Sequence, residues 1–206
     1  MEASERFVAD GRAAEIYPEY LFWLYAIMLG IGAVMETALA RAAVMRAVDP
    51  VASGLAPYLE QHIAEERGHD AWVLEDLKAI GADTTAIERR IPHPAIAELI
   101  GAQYYWVLHS HPVAVLGYLA VAEGGPSMAP MVKRLQLATA QADPAFRTLS
   151  EHADLDPFHG DEVYGVIDAL PLTRALEQLI TVSAMSTAGS MSRALEEVLD
   201  RASLLD

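Results

Sequence analysis

The chain has 206 residues, of which 53% are hydrophobic, 7% aromatic and 21% charged, a composition that fits one domain with a full core rather than a disordered segment. Against 29 Asp and Glu stand only 14 Lys and Arg, a formal charge of −15, so there is no basic stripe to collect phosphates and nucleic acid is excluded as a partner. Cysteine is absent, which removes disulfides, thiolate zinc sites, iron–sulfur clusters and thiol nucleophiles, and makes a reducing cytoplasm the expected location.

The first ten residues carry Glu2, Glu5 and Asp10 and lack the basic-then-apolar order of a signal peptide. Residues 1–15 are expected to form a mobile N-terminal segment. Ala, Leu, Met and Glu dominate the remainder of the chain, and turn signals recur at helix-sized intervals, so the expected fold is all-α, a single domain over 1–206 with about seven helices. The first helix runs from near Pro18 to about Val48, with a bend expected at Gly30 or Gly32 and a stop at Asp49-Pro50. Its apolar run, Tyr20 to Met35, is closed by Glu19 and Glu36 and falls short of the ~20 residues that span a bilayer, so it reads as a buried core helix with no membrane partner. The same stretch is a candidate surface for a homodimer.

A second helix starts between Ser53 and Pro57 and runs to Ile80, ended by Gly81. Thr84 or Thr85 caps a short helix to about Arg90, and Ile91-Pro92-His93-Pro94 is a connector that leaves His93 in a loop. Further helices are expected over Ala95–Ser110, from Pro112 to Glu123 before Gly124-Gly125-Pro126, over Ser127–Gln141, over Ala145–Ala169 with a disturbance at Pro157, and over Leu172–Leu199. With no linker or repeat among them, helices this apolar must pack into one bundle.

Within the second helix, His62-Ile63-Ala64-Glu65-Glu66-Arg67-Gly68-His69 gathers two imidazoles and two carboxylates. On an unbroken helix His62, Glu66 and His69 fall at about 0°, +40° and −20° and Glu65 at about −60°, one broad face. Imidazole with carboxylate is a ligand mixture that iron, manganese and zinc accept. A second stripe lies at His152, Asp156 and His159, spaced i, i+4 and i+7, while Asp154 points away. Glu66 to His69 and Asp156 to His159 are both carboxylate-x-x-His units, the device by which facing helices each supply one carboxylate and one imidazole to a two-metal centre. Glu123, a lone acid after an apolar run, is the candidate bridging carboxylate. Asp156-Pro157 also reads as an N-cap and the first residue of a new helix. His109 and His111 lack a carboxylate at helical spacing and are expected to cap or to hydrogen-bond in the core.

The order of these pieces resembles the haem-oxygenase-like di-iron oxidases, or iron-containing redox enzymes. Three segments carry the resemblance: Glu66-x-x-His69 running into Leu74-Glu75-Asp76-Leu77 and Gly81; His111-Pro112 leading through Gly117-Tyr118 to Glu123-Gly124; and His152-x-x-x-Asp156-x-x-His159. The resemblance implies a haem-oxygenase-like bundle. It assigns one iron to Glu66 or its neighbours, His69 and Glu123, and the other to His152, Asp156 and His159. Some members place a carboxylate where this chain has His62, so His62 and Glu65 are extra ligands or support the ligands from behind.

The implied activity is that of a non-haem di-iron oxidase or oxygenase. Two irons, replaceable by Mn or Zn in a purified sample, and O2 as co-substrate would act on an amine, amino acid or fatty acid, with an external electron donor as partner. The outcome would be N-oxygenation, desaturation or C–C cleavage. A thiaminase-II-like enzyme would need a cysteine nucleophile, and a haem oxygenase an axial His in the first helix, whereas the first His is His62. Trp23, Tyr25, Trp72, Tyr104, Tyr105 and Tyr118 are candidates to line a pocket, and Lys133 and Arg134 to pair a substrate carboxylate. Two other readings use the same residues. A ferritin-like ferroxidase bundle would recruit Glu36 and leave His152 out, and a metal-free helical binding module would merely pair the acids with the imidazoles.

Overall fold

The structure is a computed structural model describing residues 2–9 and 11–202; Met1, Asp10 and residues 203–206 lie outside the described residues. It comprises α1 (Glu2–Ala9), α2 (Ala13–Met45), α3 (Pro50–Glu66), α4 (His69–Ala79), α5 (Thr84–Glu88), α6 (Pro94–His109), α7 (Val115–Ala122), α8 (Ala129–Thr139), α9 (Arg147–Ala169) and α10 (Arg174–Ala202), with short 3-10 turns at Pro112–Ala114 and Asp143–Phe146. Among the described residues there is no β-strand. The count exceeds the expected seven chiefly because α1 forms in the segment expected to be mobile and because the second helix is broken in two. Phe7 of α1 is fully buried, its ring 5.0 Å from that of Tyr20.

The core is organised around α2. Its N-terminal half packs with α1, α4, α8 and the start of α9, while its C-terminal half packs with α3, α6, α7 and α10. Among the described helices α2 alone is long and apolar enough to cross a membrane, but 56% of its most apolar stretch is buried inside the fold. Of the Tyr20–Met35 stretch offered to a second copy, only Leu29 and Ala33 are exposed, and the other residues are buried or partly buried. Glycines allow two of the close crossings. A Cβ on Gly30 would meet Ile100 of α6 at 2.8 Å, and one on Gly117 would meet the Ile180 carbonyl of α10 at 2.3 Å.

Three histidines outside the metal motifs were expected to cap, pair or sit in a loop, and two of them bind the frame together. His111 accepts at Nδ1 from the Val113 amide (3.1 Å) and meets Asp49 through Nε2 at 3.1 Å, so it caps as expected. Asp49 in turn caps α3, accepting from the amides of Val51 and Ala52 at 2.8 and 3.0 Å. His93 lies in the connector, as expected, directly before α6, but it is not a solvent-facing residue. It is buried at the start of α6, with Nε2 2.5 Å from Glu19 on α2 and Nδ1 3.8 Å from Glu197 on α10. The prolines around it end one helix and start the next, but its ring points inward. His109, at the end of α6, lies against the ring of Tyr105 at 5.0 Å.

Asp76 ties α4 to α9. Val73, Asp76 and Leu77 share the buried face of α4, and the fully buried Asp76 carboxylate accepts from the Arg147 amide at 3.1 Å and the Thr148 amide at 3.0 Å. These are donors that the first turn of α9 leaves without a helical partner. Burial pushes the carboxyl of Asp76 up, and the bonds from Thr148 and Arg147 pull against that. Asp76→Ala strands two amides, one buried and one part-buried, so a loss of about 2 kcal/mol in unfolding free energy is expected from urea denaturation. Stability within about 0.5 kcal/mol of the wild type would show that the cap carries no weight.

Candidate metal centre

The residues of the candidate centre come from four helix segments: the end of α3, the start of α4, the exit of α7 and the middle of α9. Here the structure corrects the unbroken second helix. α3 ends at Glu66, Arg67 is extended, and Gly68 has φ +93°, a left-handed conformation that glycine adopts without the cost a side chain brings. α4 then starts afresh at His69. The single-face geometry drawn across the motif therefore fails beyond Glu66. The break nevertheless lets His69 fold back, with Nδ1 3.0 Å from Glu66 Oε2.

α9, by contrast, is continuous from Arg147 to Ala169 with Pro157 inside it, so Asp156 is not the cap of a new helix. Pro157 has no amide for the carbonyl four residues back. That carbonyl, of Ala153, accepts instead from Ser127 Oγ at 3.0 Å. Asp154 is exposed, as its angle implied.

The side chains gather in two groups, each with ligand atoms within 4.8 Å of one another: Glu66, His69 and His152, and His62, Glu65 and His159. In the first, His152 Nε2 is 3.9 Å from Glu66 Oε2 and its ring stands edge-on to His69 at 5.0 Å. In the second, His159 Nε2 is 3.9 Å from Glu65 Oε2 and the His62 and His159 rings are edge-on at 5.1 Å. Glu66 also bridges the groups, with Oε1 3.5 Å from His159 Nδ1. Glu123 joins the second through Oε1, 3.2 Å from His62 Nε2.

This grouping departs from the one the resemblance implied, which put His69 with Glu123 and His152 with His159. The reason is helical rise. Residues seven apart on α9 are separated by about 10 Å along the axis, so His152 comes level with Glu66 and His69 while His159 comes level with His62 and Glu65. His62, left as an accessory, is fully buried at the centre of the second group, whereas the Glu65 side chain is 40% exposed.

The donor set fits a metal. His62 Nδ1, Glu66 Oε1, Glu123 Oε2, Asp156 Oδ1 and His159 Nδ1 are buried without a hydrogen-bond partner. Each such atom costs about 1–3 kcal/mol unless something satisfies it. Glu123, moreover, is the C-cap of α7, where the helix dipole disfavours a carboxylate and a cation would offset it.

The charges are mutually coupled. Burial pushes the Glu66 carboxyl up, but contacts from His152 and His69 outweigh it and hold it well below the usual carboxylate range. For His62 burial favours the neutral ring, yet Glu123 above all, with Glu66 and Glu65, raises it. For His152 burial is likewise overcome by Glu66, the Thr148 carbonyl and Asp156. Asp156 is pushed up to about 7, first by burial and then by Glu123 and Glu66 against the opposing pull of His152 and His69.

Raised groups bind protons more tightly folded than unfolded, so the stability they lend is full at low pH and is lost as pH rises. For Asp156 that loss spans pH 3.8 to about 7, and for His62 and His152 it begins above 6.5. Glu66 has the opposite sign, but its contribution is lost only below pH 4.5. Metal-free protein is therefore expected to melt at a lower temperature at pH 8 than at pH 5.5. Zinc affinity is expected to rise at least about tenfold from pH 6 to 8 as the ion displaces these protons. A flat affinity profile would contradict the assignment.

Two aromatic residues touch the centre. Tyr58, outside the expected set and one turn before His62, stacks on it at 5.4 Å, and its phenol is raised by burial and by Glu123, Glu162, Glu65 and Glu66. Its i, i+4 spacing from His62 was the available signal. Trp72, one of the expected pocket aromatics, stacks on His69 at 3.9 Å under the Arg147 guanidinium, 4.7 Å from the indole, and Arg147 also pairs with Glu75. Tyr118 is buried, its phenol raised by burial and by Glu123 and Glu66, whereas Tyr105 is 61% exposed. Lys133 and Arg134 are exposed on α8 and line neither cavity beside the cluster.

A sequence profile of the iron-containing redox enzyme family matches residues 25–189. The chain belongs to that family. Its fold is haem-oxygenase-like. A Shewanella denitrificans OS217 protein, described as a domain of unknown function with a heme oxygenase-like fold, superposes with a TM-score of 0.85 at 22% identity, covering 98% of this chain and 85% of that one. A TenA homologue from Pseudomonas syringae pv. tomato DC3000 superposes at 0.66 with 13% identity, covering 97% and 88%. No curated protein matches by sequence. Family membership makes iron the metal to set against the ligand groups, and the chain an iron-containing redox enzyme.

Proposed function

We propose that this family member is a non-haem di-iron oxidase that uses O2 to oxidise a small metabolite. The observation that carries this reading is the pair of His-carboxylate groups bridged by Glu66, with unsatisfied ligand atoms buried between them. One ion would be held by Glu66, His69 and His152, and the other by His62, His159 and Glu123, with Asp156 and Glu65 beside them. Bound iron would supply the electrons that reduce O2 and take electrons from the substrate.

The chain's own residues do the rest. Asp76 holds α4 and α9 in register, and Trp72 and Tyr58 fix the rings of His69 and His62 by stacking. Tyr58 and Tyr118 stay protonated beside the carboxylates and keep water from that side. The absence of any His before His62 in the sequence argues against an axial haem ligand on the first helix.

Anaerobic Fe(II) titration and subsequent mixing with O2 tests the proposal. About two irons per chain and a transient absorbance are expected, and a chain that holds none, or shows no optical change, refutes it. His152→Ala separates the ferritin-like alternative, which leaves His152 outside. The oxidase reading expects one ion to be lost, the storage reading none. Glu36, the extra ligand of that alternative, is exposed on α2 and belongs to neither ligand group.

A further inference from the structure

A cavity of about 280 Å³ opens beside Glu66 and His69, between α2 and the α3–α4 break. Its α2 wall includes Met28, Ile31, Met35 and Gly32, and Ile63 faces them from α3. Gly32 is the residue of interest on this wall. Glycine is poorly suited to a helix interior, and at three other helical positions in the bundle it has a neighbour to justify it: a Cβ would clash with Ile100 at Gly30, with Leu170 at Gly54 and with α10 at Gly117. A Cβ on Gly32 would meet nothing within 4 Å, as is also true at Gly101 and Gly165, but of these three only Gly32 lines this cavity. The space in front of it is thus kept clear of protein atoms, at a position lining the cavity that reaches the candidate metal ligands.

One turn on, Glu36 is the single charge on α2 between Glu19 and Arg41, and it shares this wall. It has no ion-pair or hydrogen-bond partner among the described residues. Asp70 lies on the opposite wall, so acids outnumber the one cation there, Arg67, and the chain's net charge of −15 favours cations further. We infer that this cavity is the substrate pocket, that it takes a small amine with an apolar body, and that Gly32 sets how bulky that body can be while Glu36 pairs the ammonium. The inference rests on the di-iron reading for what happens to the substrate, but binding itself does not need the metal.

Isothermal titration of the full chain with n-octylamine and n-octanoate, in zinc-loaded and metal-free forms, tests it. Octylamine is expected to bind and octanoate not to. Glu36→Gln should weaken octylamine at least about tenfold. Gly32→Leu, whose side chain would occupy the cavity, should abolish binding while leaving the metal count unchanged. Gly32→Ala controls for folding and should melt about 2 °C higher, since alanine is the better helix former and no packing is lost. Octanoate binding that is lost in Arg67→Gln would overturn the inference, as would unaltered octylamine binding in Gly32→Leu. If metal binds but neither probe does, this inference fails and the di-iron reading stands; if no metal binds, the di-iron reading fails independently.

Discussion

Glu66→Ala is expected to cost the protein both metal ions. Glu66 is the one carboxylate that touches three of the candidate imidazoles: 3.0 Å to His69, 3.9 Å to His152 and 3.5 Å to His159. Its removal takes a ligand atom from one group and the bridge from the other, and leaves those rings without the charge that orients them. Metal affinity should fall at least about 100-fold, the upper end of what loss of a ligand-orienting partner costs, because Glu66 serves as ligand as well. Elemental analysis after gel filtration should then find well below one ion per chain. Glu65→Ala is the informative contrast. Its side chain is 40% exposed, approaches His159 no closer than 3.9 Å and accepts from Gln61 Nε2 at 2.9 Å, so a loss under about tenfold is expected. Two tightly held ions in a folded Glu66→Ala protein would remove the basis for a bridged centre.

Gly160→Val is expected to separate the two halves of the site from within the frame. Gly160 comes directly after His159 on α9, where a Cβ would lie 2.8 Å from the carbonyl oxygen of Glu123 and 3.0 Å from the Cα of Gly124. The obstructing atoms are backbone, so they cannot swing aside. This contact sets the exit of α7, with Glu123, against α9 directly after His159. A branched side chain must push α9 away or distort the turn after α7, and overpacking of this kind costs about 3 kcal/mol. Urea denaturation should show that loss, and the second ion should bind more weakly than the first, because only the His62–Glu123–His159 group is disturbed. Equal weakening of both ions would show that the crossing holds the whole centre rather than one side of it.

Many of the side chains that the structure brings together in the candidate centre could be named before the fold was known, because helical periodicity exposes them. His152, Asp156 and His159 lie on a helix that the structure shows unbroken, and angular spacing alone separated Asp156 from Asp154. Glu123 stood out as a solitary acid in an apolar stretch. The errors arose where local rules met tertiary demands. Gly68 interrupts the first motif, and a periodic projection carries no warning of a left-handed residue. At Pro157 the expected single helix holds, and the alternative boundary stayed open only because the missing hydrogen bond is a local fact, whereas the hydroxyl of Ser127 that compensates comes from another part of the chain. His93 does lie in the connector between two prolines, but its burial was not legible because the acids around it come from α2 and α10. Asp76 was overlooked although Val73 and Leu77 placed it on the core face, since its partners are amides 71 and 72 residues away.

The sequence by itself determined that the chain is a cysteine-free helical domain and which imidazoles and carboxylates are available to a metal, because helix formation and ligand chemistry depend on residue type and short spacing. Only the tertiary structure decided which of those residues stand together. Ligand grouping depends on how α3, α4, α7 and α9 cross, on where Gly68 breaks the chain and on where Gly160 lets two backbones touch. Those long-range relations made His62 central, set Glu65 at the rim, and divided His152 and His159 between two groups instead of one.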